Sequence, residues 1–117
     1  METESRITSV IYPAANLQGS ISFFAEAFGF HLRFQDEERF ALLKSGDVSV
    51  ALSSGEEDIA ETVAISILVT DLAKALDRAL SAGAELVSSP KRGPHELRAV
   101  VKDVTGNAII LYEKLLT

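Results

Sequence analysis

The hydrophobic positions of this chain change period twice, in the same order each time. From Ile7 to Tyr12 they alternate and are rich in β-branched residues, which predicts a strand. Pro13 ends it, Asn16 is placed to cap a helix, and Leu17, Ile21, Phe24, Ala25 and Phe28 then recur at helical spacing. Gly29 closes the helix. Three short apolar runs follow as strands: Phe30–Phe34, Phe40–Lys44 after the charged turn QDEER, and Val48–Ser53 after Ser45-Gly46-Asp47.

The polar stretch SSGEEDIAET, residues 53–62, carries four carboxylates and reads as a solvated linker. The order then repeats. Ala64–Val69 is a strand, Asp71 a cap, and Leu72, Ala75, Leu76, Ala79 and Leu80 form one helix face that Gly83 terminates. Ala84–Ser89, Leu97–Lys102 and Ala108–Tyr112 are the closing strands, with PKRGPHE as a loop before the second of them. One domain is expected, with module one over residues 6–53, a linker over 54–62 and module two over 63–114.

Side chains alternate across a strand, so each face has its own composition. Val48, Val50 and Leu52 share one face and suit packing under a helix, whereas Ser49, Ala51 and Ser53 are small. The same division puts Ile65, Ile67 and Val69 opposite Ala64, Ser66 and Leu68. In the last strand it puts Ile109 and Leu111 opposite Ala108, Ile110 and Tyr112. Ile7, Ser9 and Ile11 are placed on the second, smaller surface. Small residues on a sheet face leave volume, which points to a cavity, or to a face covered by a second subunit or by water.

Composition narrows the chemistry. With 117 residues, 47% of them hydrophobic, the chain can bury a real core. It has no cysteine, which excludes disulfides, thiolate metal sites and a cysteine nucleophile. No apolar run approaches the ~20 residues that span a bilayer, and the first residues carry no signal pattern, so a cytoplasmic protein away from membranes is expected. The net charge of -6 and the lack of a basic stripe argue against nucleic acid as a partner. No serine-histidine-aspartate elbow and no glycine-rich phosphate loop is present.

Four stretches carry a resemblance: NLQGSISFFAEAFGF, VTDLAKALDRALSAGAEL, SPKRGPHELRAVVKDVTGN and AIILYE. In order and spacing they resemble the vicinal oxygen chelate superfamily of glyoxalases, bleomycin-resistance proteins and extradiol dioxygenases, over roughly Ile7 to Glu113. Phe24, Phe28 and Val104-Thr105 depart from the usual tyrosine, leucine and Pro-Asp. The resemblance implies an α+β fold: two tandem βαβββ modules forming an open eight-stranded, barrel-like sheet around a cavity, with the helices outside. It also implies a homodimer with its pockets near the interface.

Catalytic members of the superfamily hold a divalent metal with one inward side chain from each of four strands. Aligned on the motifs, those positions are Ser9, Ala51, Ala64 and Ile110. Zinc and hard divalent metals need oxygen or nitrogen donors, so no metal and no cofactor is expected. A shift by one residue meets Val50, Leu52, Val63, Ile65, Ile109 or Leu111, which donate nothing. Neither histidine, His31 or His95, falls on the four ligand strands.

The expectation is a metal-free protein that binds a partly apolar small molecule, as the antibiotic-binding members do, with no catalytic residue assigned. The expected pocket residues are Ser9, Phe40, Ala51, Ala64, Ser66, His95, Arg98, Ile110 and Tyr112. His95, beside Arg92 and Arg98, lies near the loop that covers the cavity mouth in family members. It reads as a recognition group for an anion or carbonyl, or as a solvent-exposed loop histidine. Phe30, Phe34 and Phe40 read equally as core packing or as a surface that stacks on a planar ligand. Two alternatives remain open. One is a lyase, isomerase or dioxygenase using His95 and Tyr112 with Glu113, and the other is a structural or interaction subunit whose cavity has filled in.

Overall fold

The computed structural model describes residues 4–115. Its elements run β1 (Ser5–Pro13), α1 (Leu17–Phe28), β2 (His31–Asp36), β3 (Phe40–Ser45), β4 (Val48–Ser53), a 3-10 turn (Gly55–Glu57), β5 (Ala64–Val69), α2 (Leu72–Ser81), β6 (Glu85–Arg92), β7 (Glu96–Lys102) and β8 (Ala108–Lys114). This is an α+β fold of eight strands in open, mixed pairing, built as β-α-β-β-β twice. The chain forms two compact units. One is Ser9–Val63, and the other joins the residues up to Thr8 with those from Ala64 onward. The change of unit near residue 63 falls at the end of the expected linker, whereas the change within β1 has no signal in the sequence.

In the Ser9–Val63 unit, β2, β3 and β4 are antiparallel neighbours, and β4 is paired in parallel by the second half of β1, Val10–Pro13. Asn16 caps α1 by accepting a hydrogen bond from the Gly19 N–H at 3.0 Å. Gly29 ends the helix at φ 73°, a left-handed conformation that costs a residue with a Cβ more than it costs glycine. Leu17 and Ile21 of α1 pack on Ala41 and Leu43 of β3 and Leu52 of β4, with Phe24, Phe30 and Val50 at the margin. Phe30 therefore belongs to the helix-side aromatic group: it stacks on Phe24 at 5.6 Å and approaches Phe28 at 5.9 Å. Phe34 and Phe40 form a separate pair at 6.3 Å. Of the three phenylalanines, the ladder's other face therefore keeps two.

In the second unit, β8 lies between β5, in parallel, and β7, antiparallel, while β6 is the end strand against β7. Leu72 of α2 is fully buried on Val69, Ala99, Val101 and Leu111, with Ala75 and Leu76 beside it. Two carboxylates hold the start of this helix. Asp71 accepts from the Lys74 N–H at 3.1 Å, and Glu113 of β8 accepts from the Leu72 N–H at 2.7 Å. An anion at a helix N-terminus satisfies free donors and complements the dipole. Glu113 therefore caps α2, a different task from the acid–base role considered for it.

The segment PKRGPHE is mostly strand rather than loop. β6 continues to Arg92, β7 begins at Glu96, and only Gly93, Pro94 and His95 turn between them. Proline lacks a donor and breaks a central strand, but it is tolerated in an end strand such as β6. The register shifts on either side of Ser88 accommodate it.

The turn between β7 and β8 is organised by Asp103. Its carboxylate accepts from the backbone N–H of Asn107 and of Thr105, each at 2.9 Å, from the Thr105 hydroxyl at 3.1 Å and from the Asn107 amide at 3.3 Å. The backbone donors of Asn107 and Thr105 lower its pKa from 3.8 to about 2. Because the folded value lies below the unfolded one, the turn contributes its full stability above about pH 4 and loses it as the pH falls toward 2. Urea midpoints measured from pH 5 to pH 2 are expected to fall for the parent chain. Asp103→Asn should flatten that fall, and an unchanged slope would contradict this role for Asp103.

Candidate functional site

The helix-side faces match the alternation in both modules, so the opposite faces can be read residue by residue. In the Ser9–Val63 unit, Ala51 of β4 is set between Ile11 of β1 and Leu42 of β3, and Phe40 is set opposite Ser53. Ala51, Ser53 and Ile11 are all buried, and Ser9, two residues before Ile11, is half-buried. Phe40 thus lies on the face where it was expected, with Phe34 against it.

In the second unit, the face away from α2 carries Ala64, Ser66 and Leu68 of β5, Ala108, Ile110 and Tyr112 of β8, and Val100 and Arg98 of β7. Register brings them into rows. Ser66, Ile110 and Val100 lie side by side, as do Leu68, Tyr112 and Arg98. The first row is closed to solvent, with Ser66 and Ile110 each 6% exposed and Val100 1%. Tyr112 and Arg98 are half-buried.

Thr8 completes this face, although nothing in the alternation along β1 singles it out. Its Oγ1 is 2.8 Å from the Tyr112 hydroxyl, where either group can donate, and 3.4 Å from the Ser66 carbonyl, to which it donates. Alternation had put Ile7 and Ser9 on the small-residue surface. Within this unit it is Thr8 that reaches Tyr112, and Ile7 is exposed. A hydroxyl pair beside buried aliphatic side chains can hold a ligand oxygen while the rest of the molecule lies on hydrocarbon.

His95 stands apart. It is exposed in the β6–β7 turn, where its carbonyl accepts from the Leu115 N–H at 3.1 Å. His31, the first residue of β2, is exposed as well.

The residues present do not fit a divalent metal. Ala51, Ala64 and Ile110 are hydrocarbon and buried, and Ser9 contributes one neutral hydroxyl. Among the described residues, no three histidine, aspartate or glutamate side chains gather as ligands. No step through a metal can be built on this donor set.

Tandem βαβββ modules with a helix packed on one sheet face and a small, buried face opposite define a recognisable class of α+β protein. Residues 6–111 match the family model of the Glyoxalase/Bleomycin resistance protein/Dioxygenase superfamily, and the chain belongs to that superfamily. A protein of uncharacterised function from Mycolicibacterium smegmatis is 33% identical over 114 residues, covering 97% of each chain. Among solved structures, a superfamily member from Vibrio splendidus aligns with a TM-score of 0.71 at 17% identity, over 95% of this chain and 100% of its own. The methylmalonyl-CoA epimerase of Mycobacterium tuberculosis aligns at 0.64 and 21% identity, over 94% of this chain and 88% of that one. Likeness at these identities is likeness of fold. No helix among the described residues is long and apolar enough to cross a membrane.

Proposed function

We propose that this chain binds a small, partly apolar molecule without a metal, as a cytoplasmic homodimer. The observation that carries the reading is the pair of replacements at Ala64 and Ile110. Both lie on the α2-distal face at positions where the resemblance implies metal donors in the catalytic members, and both are buried hydrocarbon. Beside them Thr8, Ser66 and Tyr112 supply hydroxyls that orient a ligand without the charge a metal site would bring.

A ligand that binds only the folded state raises stability, by about 2.7 kcal/mol at a hundred times its dissociation constant. A thermal-shift screen of a broad small-molecule library is expected to find stabilisers whose effect survives excess chelator. Stabilisation that disappears with chelator would contradict the proposal.

The tight burial of Ser66, Val100 and Ile110 in a single chain favours a second reading, in which this face is filled and the protein is an interaction subunit. A library without any stabiliser would support that reading and overturn the first.

A further inference from the structure

The face of the Ser9–Val63 unit that turns away from α1 joins an aromatic surface to a half-buried cation. Phe40, Leu42 and Lys44 of β3 alternate with Ala41 and Leu43, which pack under α1, so all three lie on this face. Phe34 of β2 is set opposite Leu42 and meets Phe40 at 6.3 Å between ring centroids, yet Phe34 is 55% exposed. A ring held half in water beside a second ring offers a surface on which a planar group can stack.

Lys44 supplies the charge. It is half-buried, and its ammonium donates to the Ser49 hydroxyl of β4 at 3.2 Å. An ammonium carries three donors, and Lys44 has neither an ion pair nor a further side-chain hydrogen bond with the described residues. The chain has 17 acidic residues against 11 basic ones, so a carboxylate partner is not scarce in its composition. The acids of this ladder are gathered at its other end, where Asp36 pairs with Arg39, and Glu37 and Glu38 follow β2. Asp47 is the acid nearest to Lys44 along the chain. It is exposed in the turn between β3 and β4, and among the described residues it makes no ion pair with Lys44. The bulge of β2 brings two more basic residues to the same end. It sets His31 opposite Lys44 and leaves Arg33 as the extra, exposed residue.

We infer that this face binds an aryl carboxylate. The ring lies against Phe34 and over Leu42, and the carboxylate is received by the Lys44 ammonium. The Ser49 hydroxyl accepts from Lys44, which leaves its own proton for the carboxylate. Phe34 and Lys44 are diagonal neighbours across β2 and β3, about 7–8 Å apart, so the two ends of the ligand are joined by a short linker. A carboxylate on an ammonium makes a charge-assisted hydrogen bond of the stronger kind.

The inference goes beyond the reading above, because its residues belong to the other unit from Ala64 and Ile110. The probes are 3-phenylpropanoate, its uncharged amide and 3-cyclohexylpropanoate, compared by calorimetric titration of the full chain at low salt. The aryl acid should bind at least tenfold more tightly than the amide, and this advantage should shrink as salt is raised. It should also bind severalfold more tightly than the cyclohexyl acid. Lys44→Gln should bring the aryl acid down to the affinity of the amide, and Lys44→Arg should keep most of the advantage. Phe34→Leu, at an exposed site where folding is not at risk, should remove the preference for the aromatic ring. Equal binding of acid and amide to the parent chain, an advantage that survives Lys44→Gln, a ring preference that survives Phe34→Leu, or binding of none of the probes would overturn the inference. Each of these results would leave the metal-free reading to its own test, the chelator resistance of library hits.

Discussion

Ile110→Glu, which places a carboxylate on the α2-distal face, is expected to destabilise the protein by about 3–5 kcal/mol at neutral pH. Ile110 is 6% exposed and lies in register between Ser66 and Val100, so only one of these two neighbours has a donor. An ionised carboxylate there would lose most of its hydration without gaining a cation. Burial would raise its pKa above the unfolded value of about 4.3. The sign of the pH dependence follows: the charge penalty should be small below about pH 4 and grow as the pH rises. If a metal could complete the site, added zinc or manganese would rescue the variant's melting temperature. With alanine at positions 51 and 64, no rescue is expected. Thermal melts from pH 4 to pH 8, with and without metal, decide it. Neutral-pH stability equal to the parent, or rescue by metal, would contradict the placement of Ile110.

Leu72→Ala is expected to cost about 2–5 kcal/mol, because it empties a site with no exposed surface in the α2 core. That corresponds to a fall of roughly 10–20 °C in melting temperature for a domain of this size. Leu72 also opens the helix, and its N–H is the donor held by Glu113. A cavity there removes contacts with Val69, Ala99, Val101 and Leu111 at the point where α2 is tied to β8. Leu80→Ala, on the same helix at 38% exposure, should cost far less and serves as the comparison. Similar losses for the two variants in urea unfolding would show that the core is not centred where the packing puts it.

Much of this architecture is legible in the sequence because local chemistry and long-range packing agree. Asn16 and Asp71 cap the helices they precede, and Gly29 adopts the conformation for which glycine is the cheapest residue. The alternation of Val50 with Ala51, and of Ile109 with Ile110, sorts correctly into helix-side and opposite faces.

What escaped the sequence depends on partners far along the chain. Glu113 reads as a spare acid until Leu72, 41 residues away, is seen to donate to it. Thr8 is an ordinary strand threonine until Tyr112, 104 residues away, is within hydrogen-bond distance. Periodicity gives the alternation along β1, but the partner strand decides which set of side chains meets which face. Pro90 reads as a break because proline ends most strands, and the exception at an end strand is visible only once the pairing is known. The meeting of His31 with Lys44 depends on the bulge of β2, which leaves no mark in the spacing of residues.

In the proposed reading, Ile110 and its companions bind by shape and hydroxyl contact rather than through a metal. Crystals grown with zinc or manganese, with anomalous scattering recorded at the absorption edge, test it most directly. No anomalous peak is expected within coordination distance of Ser9, Ala51, Ala64 or Ile110, and a well-occupied peak at any of them would contradict the reading.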